Sequence, residues 1–140
     1  MIRALSRAAV LLAALAATIL PTATAAQAGD HTTCPPGYVC AWSDRDFNGA
    51  RKDMQYSNAR WTWGESRCPQ TGTWLNCASS VFNNGRECDV WLWSGLDYSG
   101  QALYLYRTSR LAFLNQNAGP SPVGSWEDII KSNHWCRSKP

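Results

Sequence analysis

The chain has only two histidines among its 140 residues and none of the short signatures that catalysis leaves in a sequence. There is no H-E-x-x-H, no G-x-S-x-G and no glycine-rich phosphate loop. His31 and His134 stand near opposite ends of the chain that follows residue 28, so no segment supplies a base beside an orienting group and a nucleophile. The adjacent acids Glu127 and Asp128 read as solvated charge on a loop. These absences exclude the familiar enzyme classes, and the chain reads as non-enzymatic with no cofactor. A C-x-x-C pair is missing too, which removes the usual spacing of a structural zinc site. No basic stripe runs along the chain, so nucleic acid is excluded as a partner. Beyond residue 28 no apolar run is long enough for a membrane, and no stretch keeps a 3.6-residue period over three turns. A short helical turn is expected, if anywhere, within Asp53 to Gly64 or Ser109 to Asn117.

The N-terminus holds what the rest lacks. Arg3 and Arg7 precede an apolar run from Ala8 to Leu20, then Pro21, then small residues ending Ala26-Gln27-Ala28. That order of charge, apolar core and A-x-A is a secretory signal peptide over residues 1–28, and the run is shorter than the roughly 20 apolar residues a spanning helix needs. Cleavage after Ala28 leaves residues 29–140, enough for one domain. The signal carries two of the 13 basic residues and none of the 10 acidic ones, so the mature balance falls from +3 to +1. The expected product is secreted, extracellular and monomeric, with no membrane contact once the signal is gone.

All six cysteines, Cys34, Cys40, Cys68, Cys77, Cys88 and Cys136, lie in the secreted part. An even count behind a signal peptide reads as three disulfides formed in an oxidising compartment. Eight tryptophans supply large apolar areas to what must be a small core. A domain of this size buries only about 65 per cent of its unfolded surface, so covalent staples matter.

An internal repeat organises the chain. Trp42-Ser-Asp-Arg-Asp-Phe47-Asn-Gly49 places two aromatics five apart and a glycine two further on, and Trp93-Ser-Gly-Leu-Asp-Tyr98-Ser-Gly100 repeats this 51 residues later. Leu75 to Ser80 then faces Glu127 to Ser132 at an offset of 52. Val39 to Trp42 and Val90 to Trp93 are short β-prone runs, and Ala102 to Tyr106 is another. Each glycine permits the positive φ of a tight, folded-over hairpin. The expectation is an all-β domain of two motifs, at about 34–84 and 85–136, joined through the polar turn Asn83 to Glu87.

The paired hairpin signatures, each followed by an Asn/Asp-x-x-x-Ser element, resemble the βγ-crystallin fold, a Greek-key sandwich of two repeated motifs. The opening Cys34-Pro-Pro-Gly-Tyr-Val-Cys40-Ala-Trp42 behind a signal peptide resembles the secreted peptidase inhibitors of the Streptomyces metalloproteinase-inhibitor family. The resemblance covers nearly all of residues 34–136. It implies an inhibitor of extracellular peptidases, metalloproteinases first among them, with an extracellular protease as partner. Cys34 and Cys40 can close a tight local loop. The crystallin resemblance implies that the first and last strands of each motif are neighbours, which brings Cys88 to Cys136 and leaves Cys68 to pair with Cys77. In loop-entropy terms the three closures are worth about 2.4, 4.1 and 2.7 kcal/mol respectively.

A protein inhibitor fills a protease cleft with a segment that loses little entropy on binding. Cys68 to Cys77, closed by its disulfide, is such a segment, and Thr73, Trp74, Leu75 and Asn76 are its expected contact residues. The apolar Trp74 and Leu75 suit a hydrophobic pocket. A rival stretch is Asn115 to Gly124, stiffened by Pro120 and Pro122. Crystallin motifs also bind calcium through a pattern of two Asn/Asp, two variable residues, Ser/Thr and Ser, because a hard cation needs oxygen ligands. Here Leu75 spoils the first position of one motif and Lys131 the fifth of the other. No metal is therefore expected beyond weak calcium binding at Asn76, Ser79 and Asp128, and these residues with Ser80 and Ser132 are expected to fix turns. Two further readings stay open. One is polysaccharide binding on a row of exposed tryptophans, Trp61, Trp63 and Trp74; the other is a microbial toxin on the same fold.

Overall fold

The computed structural model describes residues 28–68, 70–115, 118 and 124–136. The signal peptide expected over 1–28 therefore lies outside the described residues except for Ala28, as do Pro120 and Pro122 of the rival loop. Seven short strands form among the described residues: β1 Val39–Trp42, β2 Arg51–Met54, β3 Ser80–Asn83, β4 Val90–Trp93, β5 Ala102–Leu105, β6 Arg110–Leu111 and β7 Ser132–Trp135. They make two antiparallel sheets, one ordered β2-β1-β3-β6 and the other β5-β4-β7. No α-helix occurs among the described residues; Asp53 to Gly64 holds the end of β2 and an extended bridge at Asn58, while Ser109 to Asn117 holds strand β6 and then opens a 3-10 turn in which the Ala118 amide donates to the Asn115 carbonyl at 3.0 Å.

Each motif is a Greek key whose first and last strands pair directly, β1 with β3 and β4 with β7. The two keys interlock. Strand β6 of the second motif adds to the edge of β3 in the first, with Val81 opposite Leu111. In return Asn58 of the first motif bridges Asn133 of the second, and the Trp61 amide donates to the Lys131 carbonyl at 2.9 Å. Two buried asparagines clip these exchanged strands. Asn83 donates from Nδ2 to the Leu105 carbonyl at 3.0 Å, while Asn133 accepts from the Trp61 indole at 2.9 Å. A side chain with donors and an acceptor satisfies the backbone that a short exchanged strand leaves unpaired.

Strand alternation sorts the faces. Val39, Ala41 and Val81 point inward from one sheet and Val90, Leu92, Leu103 and Leu105 from the other, closing on Trp61, Trp74, Trp126, Leu114 and Ile130. Cys40, Trp42 and Phe82 point outward, and Cys34 and Phe47 cover them in a second small core. The Cys34–Cys40 disulfide holds the N-terminal segment against that face. His31 is packed there, its ring 5.0 Å from Phe47 and 5.1 Å from Phe82, in a 3-10 turn capped by Asp30.

The repeated hairpin signatures adopt one geometry. Asp46 and Phe47 take φ of 55° and 60°, Asp97 and Tyr98 take 54° and 60°, and Gly49 and Gly100 take 79° and 78°. A serine from the last strand of each motif locks this bend. The Ser80 hydroxyl accepts from the Phe47 amide at 3.1 Å and donates to the Asp44 carbonyl at 2.7 Å. Ser132 does the same for Tyr98 and Gly95, at 3.3 and 2.8 Å.

Candidate functional site

The three disulfides are Cys34–Cys40, Cys68–Cys77 and Cys88–Cys136, with Cα separations of 5.9, 5.3 and 5.1 Å. The second builds a hairpin that projects from the end of the first motif. Gly64 pairs with Thr73, the Glu65 amide donates to the Gly72 carbonyl at 2.9 Å, and the Trp74 amide donates to the Trp63 carbonyl at 2.9 Å. Two turns close its tip, from Cys68 N–H to the Glu65 carbonyl at 3.1 Å and from Gly72 N–H to the Cys68 carbonyl at 2.8 Å. The Thr71 hydroxyl donates to the Leu75 carbonyl at 2.8 Å and accepts from the Thr73 amide at 3.3 Å. Local hydrogen bonds and a staple at both ends make this a pre-formed element.

Of the residues expected to make contact, Trp74 is not available: it is 2 per cent exposed and packs in the central core with Cys68 and Cys77. A large ring next to a buried disulfide gains more from the core than from solvent. Thr73, Leu75 and Asn76 are half-buried, and the exposed surface of the hairpin is Ser66, Arg67, Gln70, Thr71 and Gly72. No sequence pattern distinguished these polar tip residues from any other loop. The row of exposed tryptophans that polysaccharide stacking on Trp61, Trp63 and Trp74 would need is absent. Trp61 and Trp74 are core, and Trp63 is half-buried with the Lys52 ammonium 4.4 Å from its ring centroid.

Beneath the hairpin lies a cavity of about 280 Å³ that brings Asn76, Ser79 and Asp128 together with Ser43, Asp44 and Arg67. The Ser79 hydroxyl donates to Asp128 Oδ1 at 3.4 Å. Burial pushes the Asp128 carboxyl above the ordinary aspartate range, and the neighbouring Glu127 charge adds to it. Asn76 Oδ1 is buried with no hydrogen-bond partner among the described residues. In the second motif the Lys131 ammonium fills the corresponding place, donating to the Ser94 carbonyl at 2.8 Å. Glu127 is drawn away by a two-pronged pairing with Arg45, at 2.9 and 2.8 Å.

His134 packs edge-on against Tyr98, with centroids 4.9 Å apart, on the sheet opposite to that which carries His31. The two histidines are thus held apart by the whole core. Among the described residues no three of His, Cys, Asp and Glu gather as a metal cluster, and no helix is long and apolar enough to cross a membrane.

Solved structures match the interlocked Greek keys. One, reported for the evolution of the eye-lens βγ-crystallin domain fold, superposes with a TM-score of 0.55 at 15 per cent identity, covering 75 per cent of this chain and 91 per cent of that one. A βγ-crystallin from an archaeon superposes at 0.52 with 13 per cent identity, over 72 and 99 per cent of the two chains. At that identity the likeness establishes the fold alone. A search of curated proteins finds no significant match. The sequence profile of peptidase inhibitor family I36 matches residues 27–120. That span contains the N-terminal disulfide loop, the stapled hairpin and the lining of the cavity beneath it except for Asp128. The chain is a non-enzymatic member of peptidase inhibitor family I36, built on the βγ-crystallin fold.

Proposed function

We propose that the protein blocks the cleft of an extracellular metalloproteinase with the Cys68–Cys77 hairpin. The observation that carries this reading is a stapled, internally hydrogen-bonded element whose exposed residues, Ser66, Arg67, Gln70, Thr71 and Gly72, stand on a fully buried tryptophan. A contact surface ordered before binding loses little entropy when it docks. The backbone at the tip is turned twice and is not extended, so it enters the cleft as a preformed knob and not as a threaded substrate strand. The resemblance of the opening Cys34-to-Trp42 segment to metalloproteinase inhibitors supports the metalloproteinase class.

The test is steady-state inhibition of thermolysin-like, subtilisin-like and trypsin-like proteases by the oxidised secreted protein, alongside a Gln70→Ala/Thr71→Ala variant. Inhibition of the thermolysin-like enzyme, weakened in the variant, is the expected result. Inhibition of the trypsin-like enzyme instead, lost in Arg67→Ala, would keep the hairpin and change the target. Inhibition indifferent to all three tip substitutions would move the contact surface elsewhere.

The cavity under the hairpin favours a second reading, weak calcium binding. Its groups fit a hard cation: a carboxylate whose charge is not yet compensated, an unpartnered amide oxygen, a hydroxyl and the nearby Asp44. Asp128, Asn76, Ser79 and Asp44 would hold the ion, which would neutralise the half-buried carboxylate and tie the two motifs together. Calorimetric titration should then give a dissociation constant on the order of 10⁻⁴–10⁻³ M, lost in Asp128→Asn. No heat at millimolar calcium would remove this reading.

A further inference from the structure

The opposite end of the molecule carries a second cavity, of about 300 Å³, that the inhibitor reading does not use. It opens between the N-terminal loop, the end of β2 and the link between motifs. Its walls include Gln55, Tyr56, Arg86, Glu87, Trp135 and the Cys88–Cys136 disulfide. We propose that this cavity binds a neutral oligosaccharide, one or two pyranose rings at a time.

Two aromatic side chains line it, Tyr56 and Trp135. Tyr56 is 72 per cent exposed, the most exposed large apolar side chain described. Its ring projects from a fixed backbone, since the Tyr56 carbonyl accepts from Asn58 Nδ2 at 2.6 Å and from the buried Asn133 Nδ2 at 3.1 Å. The Trp135 ring is equally fixed. Its amide donates to Ser57 Oγ at 2.9 Å, and its six-membered ring lies where a Cβ on Gly85 would sit, 2.7 Å away. A side chain at Gly85 would press on the indole, the Asn83 amide oxygen and the Cys88 carbonyl together. The Trp135 indole N–H is buried with no hydrogen-bond partner among the described residues.

The polar groups are planar and fixed in the same way. The Tyr38 hydroxyl donates to Gln55 Oε1 at 3.2 Å, which leaves the Gln55 amide N–H groups as donors. The Arg107 guanidinium donates to the Arg86 carbonyl at 2.9 Å and pins the link. Arg86 and Glu87 are both exposed and carry opposite charges. An anionic ligand would face the carboxylate and a cationic one the guanidinium. A neutral polyol satisfies both, because each sugar hydroxyl donates and accepts, while the apolar C–H face of a pyranose lies against an aromatic ring. The cavity is at the lower end of the roughly 300–1,000 Å³ range of ligand sites, which suits one or two sugar units and not a folded partner.

Position makes the two activities separable. The hairpin stands at the Trp42–Ser80 end of the first sheet, whereas this cavity lies at the Val39–Asn83 end. A glycan held here leaves the hairpin free, so the protein can be an inhibitor retained on a polysaccharide surface.

The experiment titrates chitohexaose, cellohexaose and an uncharged hexapeptide into the oxidised secreted protein, by calorimetry and by following the Trp135 indole N–H resonance. Saturable binding of a hexasaccharide that shifts that resonance is expected. Tyr56→Ala should weaken it about tenfold, and Glu87→Gln should weaken it too. Both side chains are exposed, so neither variant threatens the fold, and protease inhibition should be unchanged in both. Absence of binding at millimolar sugar, binding unaffected by Tyr56→Ala, or binding of the peptide alone would overturn the proposal.

Discussion

Asn76 and Asp128 stand in the same left-handed conformation, φ 58° and 56°, and point their amides at each other's motifs. The Asn76 amide donates to the Ile130 carbonyl at 3.1 Å and the Asp128 amide to the Ala78 carbonyl at 3.0 Å. The pair is the reciprocal hinge of the two interlocked keys. Asn and Asp tolerate this backbone better than other non-glycine residues, which suits them to the position. It also places both side chains at the cavity beneath the hairpin, where the Asp128 carboxyl is half-buried.

Asp128→Asn should therefore raise stability near neutral pH when calcium is chelated. Burial raises the folded-state pKa of Asp128 above its ordinary value of 3.8. An acid so shifted folds best while protonated; it loses that stability as pH rises through the folded pKa and is a net cost above it. Asparagine keeps the shape and the left-handed backbone without the charge. Thermal melts should show a higher Tm for the variant at pH 7 and no gain at pH 3. An equal gain at both pH values would mean the carboxyl charge is not the cause.

The two motif serines should be equivalent. Ser80→Ala and Ser132→Ala each remove a buried hydroxyl that bridges a positive-φ amide and a carbonyl, leaving both unpaired. Each should cost about 1–3 kcal/mol in urea unfolding. A loss confined to one serine would show that only one of the folded hairpins depends on this bridge.

Trp74 and Arg67 separate support from contact. Trp74→Ala should destabilise the protein by about 3–5 kcal/mol, since it empties a ring-sized volume beside two buried cysteines. Arg67→Ala should leave stability within about 0.5 kcal/mol. Comparing unfolding midpoints with inhibition constants would show whether activity follows the fold or the exposed tip.

Tyr104 should titrate late. Its hydroxyl donates to the Asp89 carboxylate, which also accepts from the Arg107 amide, and the phenol is pushed up to about 12 while Asp89 is held below its ordinary range. The tyrosine's share of stability is present below pH 10 and lost as pH rises through about 12. The aspartate's share is present above about pH 4 and lost as pH falls below it. Phenolate absorbance should reveal one late-titrating tyrosine, absent in Tyr104→Phe, and that variant should show a shallower acid-unfolding curve.

Much of this architecture is legible in the sequence. Trp42 to Gly49 and Trp93 to Gly100 share a spacing because one backbone bend demands it, and both segments adopt that bend to within 1° of φ at Asp46 and Asp97. The runs Val39 to Trp42 and Val90 to Trp93 became strands β1 and β4 with those same ends. The weak helical expectation at Asp53–Gly64 failed for a different reason. Those residues make their hydrogen bonds to the other motif, at Asn133 and Lys131, and no local period records a partner 70 or more residues away.

By itself the sequence determined the repeat, the two folded hairpins and the supply of six cysteines, because these depend on local backbone preference and on residue chemistry. Tertiary structure alone decided the rest: which strand crosses to which sheet, that Trp74 belongs to the core, and that Asn76, Ser79 and Asp128 meet around one cavity. Tyr56, Arg86 and Trp135 line another at the far end on the same terms. Burial and convergence are properties of contacts between distant segments. A tryptophan's affinity for apolar surroundings is the same wherever it stands in the chain, and only the packing of the two motifs settles which rings those surroundings enclose.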